Sequence, residues 1–159
     1  MNIKKYYLTK SLNTRRFEKI NEVKYIIITS SKYKGFSALK NRNIIEKLKY
    51  KEDKEFSCHY IIDTDGTVLN IIPEKEKALC SRIANFDDKS ISIMLTLNKN
   101  GNYDELEIFS LAKLINSIKK RYNIKSENVL TEFEINSSRK PILFCDEPIL
   151  LWQINNAIK

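Results

Sequence analysis

Apolar positions along this chain recur with two periods, and the switches between them outline the fold. Residues 23–28 (VKYIII) form a nearly continuous β-branched run, which predicts a strand buried on both faces. Past Gly35 the spacing becomes helical. Leu39, Ile44, Ile45 and Leu48 mark an apolar face, and Ser37 stands where an N-cap belongs. Residues 58–62 and 67–72 read as two strands, and Asp65-Gly66 between them is a strong hairpin signal. Residues 90–97 (SISIMLTL) predict another strand, and 98–102 with Gly101 a turn. Asp104-Glu105-Leu106-Glu107 has the form of a capping box. Behind it Phe109, Leu111, Ala112, Ile115, Ile118 and Tyr122 mark one face of a long helix ending near Asn123. Residues 129–131 predict a short strand. A loop runs through Cys145, and a last helix starts near Pro148 and carries Leu151, Trp152 and Ile154.

Strands that alternate with helices predict an α/β domain, a mixed central β-sheet flanked by helices. The 159 residues suit one such domain. Residues 1–20 are polar and basic and predict an arm lying on a domain of residues 21–159.

The formal net charge of +8 suits nucleic acid, anionic wall polymers or acidic lipids as partners. The basic residues are scattered, however, which predicts a solvated basic surface rather than a located patch. Aromatic and basic residues are not interleaved as base stacking requires, and no helix-turn-helix pattern is present, so nucleic acid is not the expected partner. No apolar run reaches membrane-spanning length. The N-terminus lacks the apolar core of a secretory signal, which predicts a protein cytoplasmic as synthesised, acting at a cell wall only after release or export. Three cysteines, Cys58, Cys80 and Cys145, are odd in number and widely spaced, so no disulfide framework is expected. His59 is the single histidine.

Four segments, in order, resemble the zinc-dependent N-acetylmuramoyl-L-alanine amidases, a family that includes the animal peptidoglycan-recognition proteins and the small phage amidase-lysozymes. VKYIIITSS resembles the strand that ends in the first zinc-binding histidine, and that position is Thr29 here. FSCHYIIDTDGTVLNIIPEKEKALC resembles the family's strand, DG turn and strand. SISIMLTL resembles its SIGIEL strand. VLTEFEI with RKPILFCDEPILLW resembles the second histidine segment and the ending D-P-G-P-x-F-x-W. Aligning Pro148 with the second proline puts Trp152 at the family's Trp and Cys145 at the third metal ligand. The second histidine falls near Glu132, to within a residue. Ser92 and Glu147 stand where the family has glycines.

The resemblance implies a metal site taken apart. Family enzymes use zinc to activate a water and polarise the scissile amide. Here the ligand positions carry Thr29, Glu132 and Cys145, and threonine is a poor zinc ligand. No cofactor is therefore expected, with zinc at most at low occupancy. Cys58 and Cys80 map to the same pocket, where the thiols and Glu132 form a candidate soft-metal site or a thiol nucleophile; the other reading makes them small buried hydrophobes. Lys140 matches a basic residue that helps stabilise the oxyanion, or is a plain surface lysine. Glu132 and Lys140 are thus the candidate catalytic positions. His59, next to Cys58 in a strand, faces away from the pocket as a core histidine.

The implied function is a degenerate amidase-like domain that binds peptidoglycan, as muropeptide, or a protein partner without cutting. The alternatives are an active amidase cleaving the MurNAc–L-Ala amide with a rearranged Cys/Glu metal site, and an intracellular regulatory or nucleic-acid-binding protein.

Overall fold

The computed structural model describes residues 1–81 and 83–135. Among these residues six strands form one mixed sheet: β1 (Ile3–Lys5), β2 (Tyr25–Lys34), β3 (Tyr60–Ile62), β4 (Val68–Asn70), β5 (Ser90–Leu97) and β6 (Val129–Thr131). Their spatial order is β1-β4-β3-β5-β2-β6. Only β3 and β4 are antiparallel; the other neighbours run parallel. The helices are α1 (Ala38–Lys47), α2 (Ala84–Asp87), α3 (Glu105–Tyr122) and α4 (Glu132–Ile135). Lys140, the loop through Cys145 and the predicted last helix with Trp152 lie outside the described residues.

Helices cover both faces of the sheet, which is why its central strands read as continuous apolar runs. All eight residues of β5 are buried. On one face Ile28, Ile91, Ile93 and Leu95 pack against Leu111, Leu114, Ile115 and Ile118 of α3. On the other, Ile61, Leu69 and Met94 pack against Ala38 and Ile45 of α1, together with Leu8. Strand alternation divides the two sets, so Ile61 and Ile62 belong to opposite layers.

The hairpin turn forms as predicted. Gly66 has φ of 86°, and a Cβ there would lie 2.9 Å from Ser110 Oγ and 3.0 Å from the Leu106 carbonyl oxygen. Glycine thus serves both the turn and the close approach of the turn to α3, which Ser110 fixes by donating to the Gly66 carbonyl at 2.7 Å.

Helix phase departs from the apolar reading. In α1 the inward positions are Ala38, Asn41 and Ile45, while Leu39 is 48% exposed. Asn41 is tolerated inside because its amide donates to the carbonyls of Phe36 and Ser37. In α3, Phe109 is 59% exposed and Glu107 is fully buried. Glu107 completes the predicted capping box and also accepts the Thr96 N–H at 2.7 Å, tying the helix start to β5.

The predicted N-terminal arm supplies a strand as well. Ile3–Lys5 pairs with β4 at the sheet edge, and the chain beyond it clasps the domain. Arg15 makes a bidentate pair with Glu76 at 2.7 and 2.8 Å, donates to the Leu8 carbonyl, and lies over the Phe17 ring.

Candidate functional site

The middle of β2 meets the start of α4, and Thr29 of β2 lines a cleft. Parallel pairing sets Ile28 against Thr131, so Thr29 comes beside Glu132. A capping box starts α4 there: Glu134 accepts from the Thr131 N–H at 3.0 Å, and the Thr131 hydroxyl accepts from the Glu134 N–H at 3.2 Å. The Thr29 hydroxyl donates to Glu132 Oε2 at 2.5 Å. The two positions where the resemblance sets histidines are thus in contact, and each occupies the other.

The cleft has a volume of about 750 Å³. Its floor is Thr29, Ser30 and Met94; one wall is α1 with Ile44 and Ile45, and another is the segment 52–56. A β-bulge between Ser30 and Lys34 turns Lys32 and Tyr33 to the rim. Asn41 holds this bend, since its Oδ1 accepts the Ser31 hydroxyl at 2.6 Å. Asn13 from the N-terminal segment closes one corner and donates to the Leu48 carbonyl.

Cys58 and Cys80 do not line this cleft. They are 0% and 1% exposed, and Cys58 packs in the apolar layer beneath α1. Burial raises the pKa of both thiols. For Cys80 the charge of Glu132 and the neighbouring Cys58 and Asp87 raise it further. Buried, protonated thiols of this kind are poor nucleophiles. The third cysteine, Cys145, and Lys140 lie outside the described residues.

His59 is 1% exposed. Its Nε2–H donates to the Glu76 carbonyl at 2.7 Å, and its Nδ1 accepts the Ser92 N–H at 3.0 Å. Burial lowers its pKa from 6.5 to about 4, and the nearby carbonyl and carboxylates of Glu76 and Glu74 oppose that only in part. It is a neutral core histidine, away from the cleft.

Tetrahedral zinc requires three protein donors that give up their protons, plus an open position. Thr29 keeps its proton and directs it at Glu132, so this donor pair does not suit zinc. Among the described residues no group of three or more His, Cys, Asp or Glu side chains is arranged to hold a metal.

Sequence reading missed three contributors to the cleft: Asn41, the bulge that presents Lys32 and Tyr33, and the N-terminal wall with Asn13. Only α4 had an unread signal, the T-x-x-E spacing of Thr131 and Glu134.

The fold matches solved structures over its whole length. The catalytic domain of XlyA has a TM-score of 0.79 at 18% identity, with 100% of each chain covered. A mutant endolysin from Bacillus subtilis has a TM-score of 0.79 at 18% identity, covering 99% of each chain. The N-acetylmuramoyl-L-alanine amidase LysC from Clostridium intestinale has a TM-score of 0.73 at 17% identity, covering 100% of this chain and 99% of its own. No curated protein sequence matches. The profile of the Amidase_2 family, N-acetylmuramoyl-L-alanine amidase, matches residues 19–140. The profile match over most of the sequence and the likeness of the fold agree, and the chain belongs to the N-acetylmuramoyl-L-alanine amidase family.

Proposed function

We propose that this chain is a non-catalytic member of the amidase family that uses the cleft above Thr29 to bind muropeptide, the peptide-bearing fragment of peptidoglycan, without cutting it. The observation that carries this is the 2.5 Å hydrogen bond between Thr29 and Glu132. A catalytic zinc site needs those two positions as free donors aimed at one point. Here they are satisfied by each other, while the cleft beside them keeps a volume that a short peptide can enter. The names of the similar structures, endolysin and N-acetylmuramoyl-L-alanine amidase, support peptidoglycan as the polymer class.

The test combines binding and turnover. The protein is mixed with purified peptidoglycan, sedimented, and the walls are assayed for newly freed peptide amines with zinc, cobalt or iron(II) added. Co-sedimentation without released amines is the expected result. Failure to sediment with the walls overturns the binding role. Metal-dependent release of amines, abolished by Cys145→Ser, overturns the non-catalytic one in favour of a rebuilt metal site.

A further inference from the structure

Four side chains, of which Lys32 and Tyr33 line the cleft, form one column. Tyr33 and Phe36 stack with ring centroids 5.2 Å apart and planes inclined by 13°. The Lys40 ammonium stands 3.8 Å from the Phe36 centroid, and the Lys32 ammonium 5.3 Å from that of Tyr33. Each ring thus has the other ring as its stacking partner and a lysine ammonium within cation–π range. Both lysines are exposed, and neither takes part in an ion pair among the described residues.

The column is held in shape before any ligand arrives. The Tyr33 N–H donates to Ser31 Oγ at 3.1 Å, and Asn41 grips the Phe36 carbonyl at 3.1 Å. Gly35, with φ of 73°, makes the corner between the rings. The backbone that carries the two lysines is therefore ordered before an anion binds.

We infer that this column binds a phosphodiester-linked polyol chain, the anionic polymer carried by a Gram-positive wall. A flexible polyanion needs spaced positive charge and no free ring face. Single-stranded nucleic acid needs open ring faces on which bases stack, whereas these two rings stack on each other and each has an ammonium in cation–π range. Lys32 and Tyr33 also line the cleft, so the polymer lies alongside it. The column shares Lys32 and Tyr33 with the cleft, but it rests on the two lysine charges, and the polymer site stands whether or not the cleft holds peptide.

The test uses purified Gram-positive walls before and after hydrofluoric acid removes the phosphodiester polymer. The parent is compared with Lys32→Gln/Lys40→Gln, and with Lys113→Gln/Lys125→Gln, which removes the same charge elsewhere; Lys113 is on α3, across the sheet. At low ionic strength the parent binds intact walls on the order of tenfold more tightly than stripped walls, and added salt erases the gain. The column variant loses this gain and the control keeps it. Equal losses in both variants, or none in the column variant, overturn the proposal. So does a labelled single-stranded oligonucleotide that binds the parent more tightly than soluble polyol phosphate and is released by the column variant. Stripped walls report on the cleft alone: if they bind nothing while intact walls still distinguish the variants, the muropeptide reading fails and the polymer site remains.

Discussion

Thr29 and Glu132, 103 residues apart in sequence, are joined by a 2.5 Å hydrogen bond, and Thr29 lines the cleft. Thr29 is 3% exposed, so its hydroxyl has little water to turn to, and the carboxylate is the acceptor that satisfies it. What the family resemblance marks as two metal ligands is here a tie between β2 and α4.

That tie contributes to stability. Thr29→Val keeps the shape of the side chain and removes the donor beside a carboxylate. The expected cost is about 1–3 kcal/mol, read from urea denaturation midpoints at unchanged slope. A loss within error of zero would mean that solvent replaces the threonine without penalty.

Returning both positions to histidine undoes the tie. Thr29→His/Glu132→His, incubated with zinc and desalted, is expected to retain close to one metal per chain, while the parent retains far less. Elemental analysis of both gives the answer. A double variant that folds and still holds no zinc would show that more than the two ligands has been lost.

Two buried groups give stability opposite dependences on pH. His59 has a folded pKa of about 4 against 6.5 unfolded, so the unfolded chain binds the proton first. Its contribution is whole above 6.5 and is lost as pH falls towards 4, by about 3 kcal/mol at most. Glu107 runs the other way. Burial, only partly offset by the N–H groups of Asp104 and Thr96, raises its pKa from 4.5 to about 8. Between those values the folded state holds the extra proton, so stability falls as pH rises through the window. Glu107→Gln should therefore gain on the parent as pH climbs from 5 to 9. His59→Gln should lose less than the parent as pH drops below 6. Denaturation curves at several pH values test both, and parallel curves for parent and variant would refute either assignment.

The N-terminal clasp rests on Arg15. Its side chain is 14% exposed and that of Glu76 is 18% exposed, enough water to weaken but not cancel the pair. Arg15→Lys loses the bidentate geometry and the bond to Leu8. We expect a cost of about 1–2 kcal/mol and faster proteolytic removal of the first twenty residues, followed by mass spectrometry. Unchanged cleavage would mean that β1 alone holds the segment.

Much of the fold was legible because its signals are local. The β-branched runs of β2 and β5 and the Asp65-Gly66 turn declare themselves within a few residues. The Ser37 cap, which accepts the Lys40 N–H at 3.1 Å, does so as well. Helix phase was less legible. Hydrophobicity pointed to Leu39 and Phe109, whereas burial went to Asn41 and Glu107, whose polar atoms find backbone partners that periodicity does not count. The pairing of β1 with β4 joins segments about 65 residues apart and leaves no mark in either. The meeting of Thr29 and Glu132 was foreseeable only through the family resemblance, because spacing along the chain says nothing about contacts over 103 residues.

The strand order carries a kinetic consequence. Among the described residues, only β3 and β4 are neighbours both in sequence and in the sheet. Every other pairing must close a long loop before its contacts repay the lost chain entropy, so the hairpin at Gly66 is the one place where the sheet can start locally. Until the rest assembles, the apolar stretches of β2 and β5 stand unpaired, each of them a template for intermolecular strand association. This protein is therefore expected to be harder to refold than to keep folded, with recovery from denaturant falling steeply as its concentration rises.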